Sequence, residues 1–230
     1  MFDSTSPTRS PRGEVAADAL ALLGEGVRPV SASRTQVLPV LAPLRDLLPE
    51  GGLRRGSTIG ISADHCGGGN TIAMALMAAA SMAGSWCAAV GLPDLGPVAA
   101  DELQIDLRRL AFVPLPGVQW GETVAAVIEG VDVVLLRPPP HVRATVVRRL
   151  VARLRDRRAV LIILIDGTDW SEGCDVELRV DHARWVAIGR GEDCLRERLA
   201  TVTAVGRRSA VRPVCRQLWL PDMSRTVAMA

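Results

Sequence analysis

Residues 57–73 read STIGISADHCGGGNTIA, and they hold the side chains best placed to do chemistry. A β-prone run enters a glycine-rich turn and a helix opens directly after it. That is the layout of a phosphate-binding loop, G-x-x-x-x-G-K-[ST] followed by a helix. Its chemistry is electrostatic: backbone N–H groups cradle the phosphates, a lysine neutralises the β/γ charge, and a hydroxyl with an acid holds Mg²⁺. Gly67, Gly68 and Gly69 supply an anion cradle, and Thr71 supplies a hydroxyl that could face a metal. Asn70, which is uncharged, stands where the lysine belongs, and Asp64 stands where the first glycine belongs. A carboxylate at the loop's mouth opposes a triphosphate rather than attracting it. The chain has no lysine, all 27 of its basic residues being arginine, so no residue is expected to take the lysine's part.

The elements that must position this loop follow from hydrophobic patterning. A chain of 230 residues with 48% hydrophobic content buries a full core as one domain. A net charge of +2 gives no bulk electrostatic case for nucleic acid. The five cysteines are scattered without a C-x-x-C pair, and the three histidines have no ligand-like spacing to them, which speaks for reduced thiols in a cytoplasm and against zinc. Residues 71–92 are uncharged, but they are rich in Ala, Gly, Ser and Met and read as a buried helix, a turn and a buried strand rather than a membrane span. The first residues, MFDSTSPTRSPRG, lack the apolar stretch of a signal peptide.

Residues 1–12 read as a disordered N-terminus and 13–35 as a helix (GEVAADALALL) with a polar linker. Strands are expected at 57–62, 86–91, LAFVPL, 131–136 and 159–165, with helices at about 70–83, 97–108, 119–129 and 141–156. Continuous apolar strands alternating with helices argue an α/β fold with a parallel sheet covered on both faces. After Asp166, DVELRV, RWVAIG, LATVTAV and VCRQLWL read as short antiparallel strands extending one edge of that sheet.

In this order the features resemble the RecA ATPase core. GGLRRGSTIGIS leads in, and residues 95–136 (LGPVAADELQIDLRRLAFVPLPGVQWGETVAAVIEGVDVVLL) follow the RecA pattern; the resemblance covers roughly residues 36–166. MAGSWCAAVGLPDLG and LWLP (218–221) are most similar to the actinobacterial ImuA-type protein, a RecA-like accessory factor of the damage-induced mutasome. The resemblance implies a RecA-like domain over 36–221, a mostly parallel twisted sheet flanked by helices with antiparallel strands at its C-terminal edge; residues 222–230 read as a flexible tail. It also implies a Mg²⁺-side aspartate after VDVVLL and a glutamate after WCAAV. Here the first place holds Arg137 and the second reads Gly91-Leu92-Pro93-Asp94. Asp166, which ends VLIILID, is a weak metal candidate beside its reading as a capping residue. Without lysine, acid and glutamate, transition-state charge has little to stabilise it. No catalytic residue and no cofactor are expected, weak nucleotide or anion binding staying open.

Other surfaces carry two readings each. Arg148, Arg149 and Arg153 lie on an arginine-rich helix whose outer face is either simply solvated or meets DNA phosphates or an acidic partner. Trp120, Trp170 and Trp219–Leu220 are candidate partner contacts, while Trp86 and Trp185 read as core. The resemblance implies a catalytically silent adaptor in SOS-induced translesion synthesis. It would bind an ImuB-like Y-family pseudo-polymerase, help recruit an error-prone C-family polymerase and reach the sliding clamp indirectly. It would be cytoplasmic, nucleoid-associated after damage and not in the membrane, with DNA binding and homo-oligomerisation open. The rivals are an active RecA-type ATPase or recombinase and a SulA-like division inhibitor.

Overall fold

The apolar runs of the sequence are the inner strands of one sheet. β3 (Thr58–Ser62), β4 (Cys87–Val90), β6 (Val133–Leu136) and β7 (Val160–Leu164) are buried at every position, as strands covered on both faces must be. The structure, a computed structural model, describes residues 36–63, 67–170, 172–186, 197–206 and 213–230. The expectations for residues 1–35 and for Asp64 lie outside these.

β1 (Val37–Leu38) and β2 (Leu53–Arg54) form a small antiparallel ribbon. The main sheet adds β5 (Leu110–Val113), β8 (Val176–Val186), β9 (Glu197–Gly206), β10 (Val214–Trp219) and β11 (Ala228–Met229), in the order β11-β10-β9-β8-β3-β7-β6-β4-β5. From β8 to β5 all neighbours are parallel; β8 to β11 are antiparallel. The helices are α1 (Gly69–Met82), α2 (Pro97–Glu102), α3 (Trp120–Gly130) and α4 (Ala144–Arg157).

Strand side chains alternate between two cores, the period of two that a pleated strand imposes. Ile59, Ile61, Leu135, Ile162 and Leu164 share one cluster with Ile72, Leu76 and Met77 of α1. Val134, Leu136, Leu161 and Ile163 share the other with Val124 and Ile128 of α3 and Leu150 and Leu154 of α4. Burying each such aliphatic side chain contributes about 2 kcal/mol. At the open end of the sheet, Asp132 joins three elements: its carboxylate accepts from Arg55 Nη1 at 2.8 Å and from the Trp86 N–H at 3.0 Å.

The α/β reading holds, with four local corrections. The helix expected over 97–108 ends at Glu102, because Gln104 takes φ 65° and Asp106 caps a separate 3-10 turn at Leu107–Arg109. DVELRV and RWVAIG are not two strands within the described residues: β8 runs through both to Val186, with a bulge between Asp181 and Arg184 where His182 sits at φ 51°. β8 is also parallel to β3, so antiparallel pairing begins only at β9. Residues 222–230, expected as a flexible tail, continue the domain. Ser224 and Thr226 N–H groups donate to Asp222 Oδ1, Val227 is buried, and β11 pairs with β10. Among the described residues no helix is long and apolar enough to cross a membrane.

Candidate functional site

The loop between β3 and α1 lies at the carboxyl end of the parallel strands, where open α/β sheets bind ligands. Its start is tied by Asp166, whose two carboxylate oxygens accept from the Ala63 N–H at 2.9 and 3.1 Å. That is a backbone-holding role for the residue considered as a metal candidate. Gly67 and Gly68 take φ 73° and 93°, left-handed conformations that glycine adopts without a Cβ penalty. α1 opens at Gly69 and its first helical bond is Ile72 N–H to Gly68 O, 3.0 Å. The N–H groups of Gly69, Asn70 and Thr71 have no acceptor within the helix, as at every helix start.

Two arginines close on this turn. Arg137 follows β6, which β7 separates from β3. Its Nη2 donates to Asn70 Oδ1 at 2.9 Å. The close approach of β4's end is fixed by Gly91, where a Cβ would stand 2.3 Å from Arg137 O. Arg198 comes from β9 and is 8% exposed. Its Nε donates to Leu220 O at 2.7 Å and its Nη2 to Thr71 Oγ1 at 2.9 Å. The guanidinium lies 4.8 Å from the Trp185 ring centroid, a cation–π contact. A Cβ on Gly67 would meet Nη1 at 3.2 Å, and one on Gly68 would meet Nη2 at 3.4 Å. Burial lowers the pKa of this guanidinium. Among the described residues neither Arg137 nor Arg198 forms an ion pair.

A magnesium-bound triphosphate does not fit these residues. Asn70 is neutral and already accepts from Arg137; the strand end that should carry an acid carries that arginine; and the Thr71 hydroxyl, the metal-facing group of such loops, accepts from a cation. Among the described residues no three His, Cys, Asp or Glu side chains cluster to hold a metal.

Gly67, Gly68, Gly69, Asn70 and Thr71 are joined by Arg137, which the sequence already sets in the acid's place, and by Arg198, which was not expected. Arg198 had one available signal, since it shares the inward register of β9 with Ala200, Val202 and Ala204. Trp185, read as core, is instead 44% exposed and forms a platform under Arg198, its cross-strand neighbour. Leu220, read as a partner contact, is fully buried and bonded to Arg198, and Trp219 is half-buried within β10. Trp120 packs part-buried against the α3/α4 core. Arg149 pairs with Glu122 (2.7 Å), Arg153 with Glu129 (3.2 Å) and Arg148 with Glu172 (3.7 Å), so that face of α4 is largely neutralised.

The architecture is similar to the crystal structure of the RadB recombinase, with a TM-score of 0.58 and 13% identity over 82% of this chain and 96% of that one. At that identity the likeness is one of fold, and the fold is RecA-like. In sequence, the chain is 36% identical over 130 residues to the uncharacterized protein Rv3395c of Mycobacterium tuberculosis. The match takes in 54% of this chain and 59% of the relative, so less than two thirds of that protein is spanned. The family described as the MT3502 N-terminal domain matches residues 46–172, from the 3-10 helix at Ala42–Leu47 to the turn beyond β7. With more than half of its length so matched, the chain belongs to the MT3502 N-terminal domain family.

Proposed function

We propose that this protein is a non-hydrolytic RecA-like adaptor acting in DNA-damage tolerance. In this reading it binds an ImuB-like pseudo-polymerase and helps bring an error-prone C-family polymerase to stalled forks. The observation that supports it is the charge inventory at the turn before α1: arginines stand on Asn70 and Thr71, where nucleotide chemistry needs a lysine and a metal-holding acid. The fold is retained while the lysine of the loop and the acid after VDVVLL are not. The partner assignment rests on the ImuA-type resemblance. It agrees with β5, an edge strand among the described residues, where Phe112 is 36% exposed and is followed by Leu115 (79%) and Val118 (100%), since apolar residues at a sheet edge suit a protein partner.

Affinity capture of the full chain after DNA damage tests the reading. Recovery of a Y-family pseudo-polymerase and a C-family polymerase supports it. Recovery of a tubulin-like division protein points to a SulA-like inhibitor. Steady ATP turnover by the purified chain points to an active RecA-type ATPase.

A further inference from the structure

We infer that Arg198 is the resident occupant of the loop: an internal cation in the metal's place that closes the cradle and ties α1 to the C-terminal strands. The inference rests on the non-hydrolytic reading above and says how that state is held.

Position carries the first part. In a phosphate-binding loop the helix-start hydroxyl is a ligand of Mg²⁺. Here Thr71 Oγ1 accepts from Arg198 Nη2 at 2.9 Å, so a cation already stands beside that oxygen. The same guanidinium lies over Gly67 and Gly68, close enough that added Cβ atoms would meet its nitrogens at 3.2 and 3.4 Å. Positive φ at both positions favours glycine whether or not an anion ever enters, and the guanidinium lies against the space a side chain there would use.

Compensation carries the second part. A buried guanidinium at the positive end of a helix is unfavourable unless its charge is met. The described residues meet it without a carboxylate. Leu220 O takes Nε, the Thr71 hydroxyl takes Nη2, and the Trp185 ring faces the ion at 4.8 Å. Arg198 is also fixed through its backbone, donating to Pro221 O at 3.0 Å and accepting from the Leu220 N–H at 2.7 Å. Side chain and backbone therefore join three places: the turn before α1, the β8/β9 pair and the end of β10. An oxyanion bound in the cradle would have to share or displace this guanidinium, and a divalent metal would meet it at Thr71 Oγ1. Arg198 lies beyond residues 46–172, outside the stretch matched by the family.

The test uses the full chain and two variants, R198M, which keeps an apolar stem, and R198K, which keeps the charge but not the fork. Magnesium with inorganic pyrophosphate is the probe. The wild-type melting temperature should move by less than about 1 °C at millimolar probe. In R198M, amide exchange should speed up by about 10-fold or more both at Ile72, whose N–H donates to Gly68 O, and at Leu220, whose N–H donates to Arg198 O, because one side chain holds both segments. Should R198M fail to fold, R198K carries the same expectation. Exchange that rises at only one of the two segments, or at neither, overturns the tie. Stabilisation of wild type by magnesium pyrophosphate that R198M loses also overturns it, making Arg198 a ligand-binding group. Pyrophosphate binding without ATP turnover would sink this inference alone, whereas ATP turnover by wild type would sink the non-hydrolytic reading.

Discussion

Each end of the parallel sheet holds an arginine of low exposure, and they meet its charge in opposite ways. At the amino end, Arg55 pairs with Asp132, both side chains being little exposed at 15% and 12%, and Asp132 also takes the Trp86 N–H. At the carboxyl end, Arg198 has a carbonyl, a hydroxyl and an indole face, and among the described residues no acid. Breaking a buried pair costs more than the pair is worth, since it leaves a charge in low dielectric. An arginine met only by dipoles is less costly to replace with an apolar side chain, because the replacement also removes the desolvation penalty. The amino end is thus built as a structural clamp, while at the carboxyl end the described residues meet Arg198 with neutral contacts.

Substitutions sharpen that contrast. The largest effect is expected for D132A, which removes the acid from Arg55 and an acceptor from Trp86: a loss of about 3 kcal/mol in denaturant titration, roughly 10 °C in melting temperature. R198M should cost less, about 2 kcal/mol by the same titration, charged hydrogen bonds being lost while burial of charge is relieved. An R198M loss equal to or above that of D132A would break the comparison. E129Q, which unpairs Arg153 and Arg157 on the outer face of α4, should cost under about 1 kcal/mol, as exposed pairs do. The triple variant E122Q/E129Q/E172Q should bind duplex DNA with a steeper salt dependence than wild type. A wild type already as salt-steep would restore Arg148, Arg149 and Arg153 as a DNA face.

The last effect concerns pH and is absent at neutrality. Burial, with Asp132 nearby, pushes the Cys87 thiol from the usual 9.0 up to about 12. The unfolded chain loses this proton first, so stability is untouched below pH 9 and falls as pH climbs from there toward about 12. A stability curve of C87A that drops as steeply over this window as wild type would refute the assignment. At pH 8 a thiol reagent should modify exposed Cys215 and leave Cys87 intact.

The parallel half of the molecule was legible because its signals are local. Runs such as VDVVLL and AVLIILI, short and rich in β-branched residues, match strands covered on both faces, and the glycine turn announces itself by composition. The C-terminal strands were less legible. A bulge at Asp181/Arg184 lets one strand absorb two alternating segments, and parallel pairing of β8 with β3 is a choice of topology that alternation does not encode. At the site, missing groups were readable residue by residue, since Asn70 and Arg137 stand in the sequence as they stand in the fold. The arriving group was not, because 127 residues separate Thr71 from Arg198 and only sheet order brings them within 2.9 Å. The arginines of α4 illustrate the converse, for their acidic partners Glu122 and Glu129 lie on another helix.

Calorimetric titration of the purified full chain with ATP, in the presence and absence of magnesium, bears most directly on the claim that the loop has exchanged nucleotide chemistry for an internal contact. No saturable heat is expected up to about millimolar ligand, where binding energy would be near 4 kcal/mol. Magnesium-dependent binding in the micromolar range would contradict it.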